Sequence, residues 1–365
     1  MKKEPAQLPK LKIKHFKAIA DDPVKSAKAA NLVYTTDSKP GIARIRKGKD
    51  FDYVYNNKKL RDKEQLLRIK SLVIPPAWES VWICPLPEGH LQVTGLDALK
   101  RKQYKYHPLW SKLRNHTKFF RLYDFGKTLP EIRQRLDKDL AKPGLPKEKV
   151  LALIVKLMEL TNIRIGNNAY EKLYGSFGLT TLKDRHVKVN NHNIEFAFKG
   201  KKGVSHKISI TSKKFARLVK QCRDIPGVEL FQYIDEQGER HAVDSGAVNA
   251  YLKEITGQNF TAKDFRTWSG STQALIAFKE IGTAENKTVA QKNIVEALNN
   301  VSEALGNTRT VCKKYYVHPN IITLYESQTL HTSYLAKLDN GLQVDNGLQP
   351  EEQLLLEILR KEAIL

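Results

Sequence analysis

Apolar and polar residues alternate twice near the start of the chain, as Ile42-x-Arg44-Ile45-Arg46 and Phe51-x-Tyr53-Val54-Tyr55, with Asn56-Asn57 behind the second run. A period of two is that of a half-buried strand, and paired asparagines tolerate a tight turn, so a small antiparallel sheet is expected. Asp62 to Leu72 has helical spacing and is closed by Pro75-Pro76. Residues 78–123 open with Trp78, Trp82-Ile83-Cys84 and Leu91-Gln92-Val93-Thr94-Gly95, and helical periodicity resumes at Trp110 to Phe120 and Leu129 to Leu140. Ala141-Lys142-Pro143-Gly144-Leu145-Pro146 breaks that pattern and is the expected linker.

Beyond the linker, Val150, Ile154, Leu157 and Met158 share one helical face, in a helix ending near Asn162-Ile163-Arg164-Ile165-Gly166. Three strands are expected next, at His186 to Val189, Ile194 to Phe198 and Val204 to Ile210. Asn190 to Asn193 turns the first pair and Gly200-Lys201-Lys202-Gly203 the second, which puts Lys201 at a hairpin tip. Residues 211–300 read mainly as helices, with Asp264-Phe265-Arg266-Thr267-Trp268 at the start of one, and Asp224 to Gly238 as a loop with a short strand. After Pro350 an amphipathic helix is expected to run to Leu365 and to pack on its own domain.

Size and composition narrow the class. With 365 residues, 41% of them hydrophobic, the chain is long enough for two domains with proper cores. It has no apolar run of about 18 residues, and its Lys-rich start lacks an apolar signal core, so the expectation is a cytoplasmic protein without membrane contact. Three scattered cysteines, Cys84, Cys222 and Cys312, fit reduced packing positions and leave no Cys-x-x-Cys metal site. Charge changes the picture most: 62 Lys+Arg against 39 Asp+Glu gives +23 at pH 7, which points to a polyanionic partner. Residues 1 to about 30 are a basic arm or short helix that either follows a phosphate backbone or merely solubilises.

Candidate chemistry lies in Gly306 to Pro319, where Tyr315 and Tyr316 follow Lys313 and Lys314. A phenol becomes a nucleophile only where positive charge or a base steadies its anion. Arg164, beside a glycine at a helix end, can place a guanidinium in a cleft, and Lys201 at its hairpin tip can swing into one. The run Lys100-Arg101-Lys102-Gln103-Tyr104-Lys105-Tyr106-His107 interleaves cations with side chains able to reach base edges, the pattern of either a duplex contact or a solvated basic face.

In order and context, Arg164, Lys201, Arg266, Asn307 and Tyr316 resemble the catalytic set of the type IB DNA topoisomerases, in the short poxvirus-like form found in bacteria. The match is dense over about two-thirds of the chain, from Pro75-Pro76-Ala77-Trp78 to Tyr316-Val317-His318-Pro319. It includes Arg-Lys-Gln-Tyr-Lys-Tyr-His at 101–107, Gly175-Ser176-Phe177-Gly178-Leu179-Thr180-Thr181-Leu182 and Lys201-Lys202-Gly203-Val204-Ser205-His206. Leu96 and Leu99 depart from the Arg and second Gly usual in that family.

The resemblance implies an α+β fold: a small N-terminal domain with an antiparallel β-sheet, and a larger, mostly helical catalytic domain with a three-stranded hairpin sheet, closing as a C-shaped clamp on double-stranded DNA. The expected parts are a basic extension at 1–40, a DNA-binding sheet domain at 41–123, a catalytic domain at 124–330 with the linker near 141–146, and a C-terminal tail and helix at 331–365. Tyr316 would be the nucleophile, with Arg164 and Arg266 on the non-bridging phosphate oxygens and Asn307, nine positions before Tyr316, donating a further hydrogen bond. Lys201 would be the general acid for the 5′ oxygen, its pKa lowered by burial beside two arginines. DNA contacts would come from Arg101, Lys102, Gln103, Tyr104, Tyr106, Tyr170 and Lys263. No metal, cofactor or ATP is implied, and a monomer working at the nucleoid is expected. The nearest rivals are a tyrosine recombinase, which usually carries His where Lys263 stands, and a non-enzymatic duplex-binding protein.

Overall fold

Alternation in the early strands builds a sheet of six. The computed structural model describes residues 22–48, 50–344 and 347–361. Residues 1–21 of the expected basic arm therefore lie outside the described residues. The first described helix is α1 (Pro23–Ala29), whose first turn is capped by the Asp22 carboxylate. The chain divides between Arg121 and Leu122 into two compact units.

In the first unit, β1 (Ile42–Lys47), β2 (Asp50–Tyr55), β3 (Lys58–Lys59), β4 (Glu79–Ile83), β5 (Leu91–Leu96) and β6 (Lys102–Tyr106) form one antiparallel sheet in the order β3-β2-β1-β4-β5-β6. Asn56 and Asn57, both at positive φ, close the β2–β3 hairpin. Helix α2 (Lys63–Ser71), capped by Asp62, packs Ile69 with Ile42, Val81, Ile83 and Val93 into the core of this unit. A second cluster joins Ala27, Ala30 and Leu32 to Leu109, Trp110 and Leu113. Four strands, β3 to β6, were not in the sequence expectation. Every residue of Leu91–Gly95 is buried, which removes the alternation, and β6 is an outer strand that reads as a polar basic run.

The two expected helical stretches on either side of residue 125 are one helix, α3 (Pro108–Leu140), containing Pro130. A proline forfeits one backbone bond. Phe125, Leu129, Ile132 and Leu136 are buried around it, and that packing outweighs the loss. Ala141 to Pro146 turns the chain into α4 (Lys147–Thr161). Then come α5 (Asn168–Tyr174), the three-stranded sheet β7 (Val187–Val189), β8 (Asn193–Lys199) and β9 (Ser205–Thr211), and α6 (Lys213–Arg223). The short strand expected within Asp224 to Gly238 is β10 (Gln232–Ile234), which pairs in a hairpin with β11 (Arg240–Ala242) just beyond it. Helices α7 (Ser245–Thr256), α8 (Ala262–Ile281), α9 (Lys287–Leu305), α10 (Arg309–Tyr315) and α11 (Pro319–Glu326) come next. A π-helical turn at Leu330–Leu335 leads to α12 (Ala336–Asp339) and, after a loop, α13 (Pro350–Lys361).

Helix α13 packs on its own unit: Leu354, Leu355, Ile358 and Leu359 are buried, and Glu352 makes a forked pair with Arg133 at 2.8 Å on both arms. Glu352 also accepts from the Trp268 indole at 2.9 Å and from Gln349 N–H at 2.9 Å. Burial alone would raise this carboxyl, but Arg133, helped by the Gln349 and Trp268 donors, holds it below its ordinary value of 4.5. Its contribution is thus fully present above about pH 4.5 and is lost as pH falls through the lower folded value. Glu352→Ala leaves Arg133 short of a partner in a buried site and should cost roughly 3–5 kcal/mol. Thermal unfolding at pH 7 measures this, and a melting temperature equal to wild type would show the network to be idle.

Candidate active site

Five separate stretches of the second unit supply one cleft. Asn162 ends α4 in the left-handed conformation, and the chain then carries Arg164 outward. The backbone of that segment is pinned from the side: Leu179 N–H donates to Arg164 O at 2.9 Å and Thr180 N–H to Ile165 O at 2.7 Å. Gly178 permits the approach, since a Cβ there would lie 2.5 Å from Arg164 O. Arg266 projects from near the start of α8 and is 5% exposed. Gly306 ends α9 at φ +56, and Asn307 comes directly after it.

Tyr316 closes α10, with its N–H on Cys312 O at 2.9 Å. Helix α8 clasps it there: Ser271 Oγ donates to Tyr316 O at 3.2 Å and accepts from His318 N–H at 3.1 Å. Gly270 leaves room for the tyrosine, because a Cβ on it would meet Tyr316 Cβ at 2.8 Å. The helix that carries Arg266 therefore also positions Tyr316, and the guanidinium lies 5.2 Å from the centre of the Tyr316 ring.

Two like charges need an opposing field to sit together, and the ends of two helices provide it. Arg266 donates through one amino group to Asn162 O, at the end of α4, and through the other to Leu305 O, at the end of α9, at 2.7 Å. Arg164 donates to Gly306 O at 3.2 Å and to Asn307 Oδ1. Carbonyls at helix C-termini carry the negative end of the dipole and favour such cations. Burial, with Arg266 nearby, still pushes Arg164 down to about 10, where it stays charged at neutral pH. Burial likewise pushes the Cys312 thiol up to about 11, against the pull of Arg266 and Arg164, so it stays protonated.

The orientation of Asn307 is dictated by its partner. A guanidinium only donates, so the amide oxygen faces Arg164 and the amide nitrogen faces the other way. That nitrogen and Arg266 Nε are buried without a hydrogen-bond partner among the described residues. Buried donors left unmade cost of order 1–3 kcal/mol each, which marks them as a place for an acceptor.

Arg164, Lys201, Arg266, Asn307 and Tyr316 all line a single cleft of about 1170 Å³. Lys263 lines it too, whereas Tyr170 lies on α5, 45% exposed and not among the lining residues. Lys201 is exposed at the turn between β8 and β9, so it is not buried beside the two arginines as expected. The lining carries six Lys or Arg side chains and one carboxylate, Glu303, a field suited to a phosphodiester. Tyr315 also lines the cleft, but it is 38% exposed with Lys314 Nζ 5.3 Å from its ring centre. Among the described residues no group of three or more His, Cys, Asp or Glu side chains is placed to hold a metal ion.

His206 is the member that the sequence did not single out as a site residue. Its ring stacks on Phe198 at 5.1 Å and fills the space beside Gly200 and Gly306, where a Cβ would come within 2.6 and 2.3 Å of it. It thus wedges the Lys201 hairpin against the Asn307 turn. Burial first, then Arg164 and Arg266, hold it below its usual 6.5 and keep it neutral at pH 7. The motif Lys201-Lys202-Gly203-Val204-Ser205-His206, which ends on it, is the signal that could have flagged it.

Arg101, Lys102, Gln103, Tyr104 and Tyr106 belong to the first unit, on β6 and the turn before it. Tyr104 and Tyr106 are 48% and 43% exposed and stack on each other at 6.0 Å. Lys102 pairs with Asp37 at 2.6 Å.

Comparison with known proteins decides what this cleft belongs to. Residues 102–338 match the family model for the eukaryotic DNA topoisomerase I catalytic core, and residues 50–97 match that for the bacterial DNA topoisomerase IB N-terminal domain. DNA topoisomerase 1B of Acanthamoeba polyphaga mimivirus is 34% identical over 79% of this chain and 88% of its own length. The chain belongs to the type IB DNA topoisomerases. Vaccinia virus (strain Copenhagen) DNA topoisomerase 1B is a more distant relative of this type IB chain, 24% identical over 64% of this chain and 72% of its own. Among solved structures, a XerH site-specific recombinase bound to a palindromic difH substrate gives a TM-score of 0.34 at 13% identity, over 58% of this chain and 52% of that one. Membership of the type IB family makes this chain an enzyme of the DNA topoisomerase class and does not favour the strand-exchange or non-enzymatic readings. No described helix is long and apolar enough to cross a membrane.

Proposed function

We propose that this chain relaxes positive and negative supercoils by cutting one DNA strand through a 3′-phosphotyrosyl bond at Tyr316, letting the duplex swivel, and resealing. The observation that carries the reading is the pair of orphaned donors, Asn307 Nδ2 and Arg266 Nε, in the cleft that Tyr316 lines. A phosphate there would receive hydrogen bonds on its non-bridging oxygens from Arg164, Arg266 and Asn307, all preset before substrate arrives.

As Tyr316 Oη bonds to phosphorus its proton leaves to solvent. As the bond from phosphorus to the 5′ oxygen breaks, Lys201 gives that oxygen a proton. One phosphoester replaces another, so the freed 5′-hydroxyl can attack back without an energy source. DNA lying over the β8–β9 hairpin would cover the exposed Lys201 and bring its ammonium to the leaving oxygen. Lys263 would contact the same phosphate region, and Tyr170 a neighbouring one. Residues 41–123 would grip the duplex through Arg101, Lys102, Gln103, Tyr104 and Tyr106, and residues 124–330 would complete a clamp. A single copy, working at the nucleoid, suffices for every step.

The test is supercoiled plasmid incubated with the protein in EDTA without nucleotide, then denatured with detergent. A ladder of relaxed topoisomers with protein linked to 3′ ends is expected. Plasmid left fully supercoiled, or protein on 5′ ends, would overturn the reading.

A further inference from the structure

The turn between β5 and β6 is organised by one carboxylate. Asp97 Oδ1 accepts the backbone N–H groups of Leu99 and Arg101, each at 3.0 Å. Asp97 Oδ2 accepts Arg101 Nε at 2.6 Å and Gln103 Nε2 at 2.8 Å. The Asp97 side chain is 14% exposed. Burial would raise its pKa, but the Arg101 backbone and side-chain donors and the Leu99 N–H together lower it, so it is ionised at neutral pH. Directly across the ladder from Gln103 stands Gly95, which has no side chain to steer the amide.

We infer that Asp97 sets the sequence preference of this enzyme by fixing which way round the Gln103 amide faces the DNA. The inference rests on the proposed function, in which Gln103 meets the duplex. A free carboxamide can turn over at little cost and then exchanges its donor and acceptor sides. An ionised carboxylate only accepts, so Asp97 takes one N–H of the amide and permits a single orientation. What remains outward is the second N–H beside Oε1, a donor next to an acceptor. In the major groove that pair complements adenine, which shows an acceptor at N7 and a donor at N6, and mismatches guanine, which shows two acceptors.

Asp97→Asn separates this role from the turn itself. The two backbone N–H groups keep an oxygen at the Oδ1 position, so an NH2 replaces Oδ2 and faces Gln103. The amide must then turn its oxygen inward and its NH2 outward, which suits the two acceptors of guanine. Arg101 loses an acceptor as well, which weakens binding alike on all sequences and leaves the base ratio alone.

Selection from a pool of randomised duplexes, with sequencing of the bound fraction, tests this on full-length wild type, Asp97→Asn and Gln103→Ala. Wild type should enrich adenine over guanine at one position by roughly tenfold. Gln103→Ala should flatten that position, and Asp97→Asn should move it toward guanine. An Asp97→Asn ratio equal to wild type, or an adenine preference that survives Gln103→Ala, would overturn the inference. Should Asp97→Asn not fold, the wild-type protein still decides. Its Gln103 side-chain amide, observed by nitrogen-edited NMR, should show one proton shifted and protected from exchange, and two protons with the shifts and fast exchange of a solvent-exposed carboxamide would sink the idea. Adduct formation is scored separately on the same pool, and its absence would count against the Tyr316 chemistry rather than against Asp97.

Discussion

Tyr316→Phe should bind duplex DNA with nearly wild-type affinity and yet form no covalent adduct, with relaxation reduced by roughly 10⁴-fold or more. The change removes one oxygen and keeps the ring, so the Arg266 guanidinium 5.2 Å from its centre and the packing against Gly270 are undisturbed. The Ser271 bridge that fixes this residue is to backbone, and it survives too. Tyr315→Phe is the matched control. Its side chain is more exposed and is attended by Lys314 rather than by the buried Arg266, so adduct formation should persist. Gel shift on a labelled duplex and denaturing electrophoresis of the same reaction separate binding from chemistry. Adducts from Tyr316→Phe, or none from Tyr315→Phe, would move the nucleophile to the neighbouring residue.

What could be read from the sequence divides along physical lines. Elements whose periodicity is set by one buried face were legible: the apolar stripe of α4, the hairpins of β7 to β9, and the Asn56-Asn57 turn. β5 was hidden because it is covered on both faces, and β6 because its polar side chains read as a charged run. The single helix across Pro130 was hidden because local propensity argues for a break and burial overrules it.

Residue types in order pointed to the members of the cleft, since each has a chemical reason to be there. Their atoms could not be read. Nothing in the sequence says that Asn307 turns its oxygen to Arg164 and its nitrogen to the cavity, or that His206 wedges the hairpin against the α9–α10 turn. Such facts depend on contacts between residues far apart in the chain. The same limit hides Asp97, an ordinary turn residue in sequence, as the anchor for both Arg101 and Gln103.

Arg266→Lys should slow single-turnover strand cleavage by about 10²- to 10³-fold while duplex binding changes little. The guanidinium spans the ends of two helices, donating to Asn162 O and Leu305 O, and still holds an unpartnered Nε in the buried site. An ammonium is a compact group on a flexible stem. It can satisfy one of those carbonyls or approach the phosphate, and it cannot do both in fixed geometry. Charge is conserved by this change, so long-range attraction of DNA stays and only the forked arrangement is lost. Arg266→Ala should fall further and also lower the melting temperature, because two buried carbonyls lose their donor. Cleavage rates measured with protein in excess over labelled duplex, beside melting curves and binding isotherms, separate the two effects. If Arg266→Lys cleaved within about threefold of wild type, the guanidinium would be a strut between α4 and α9, and the electrostatic stabilisation of the phosphate would have to come from Arg164 and Asn307 alone.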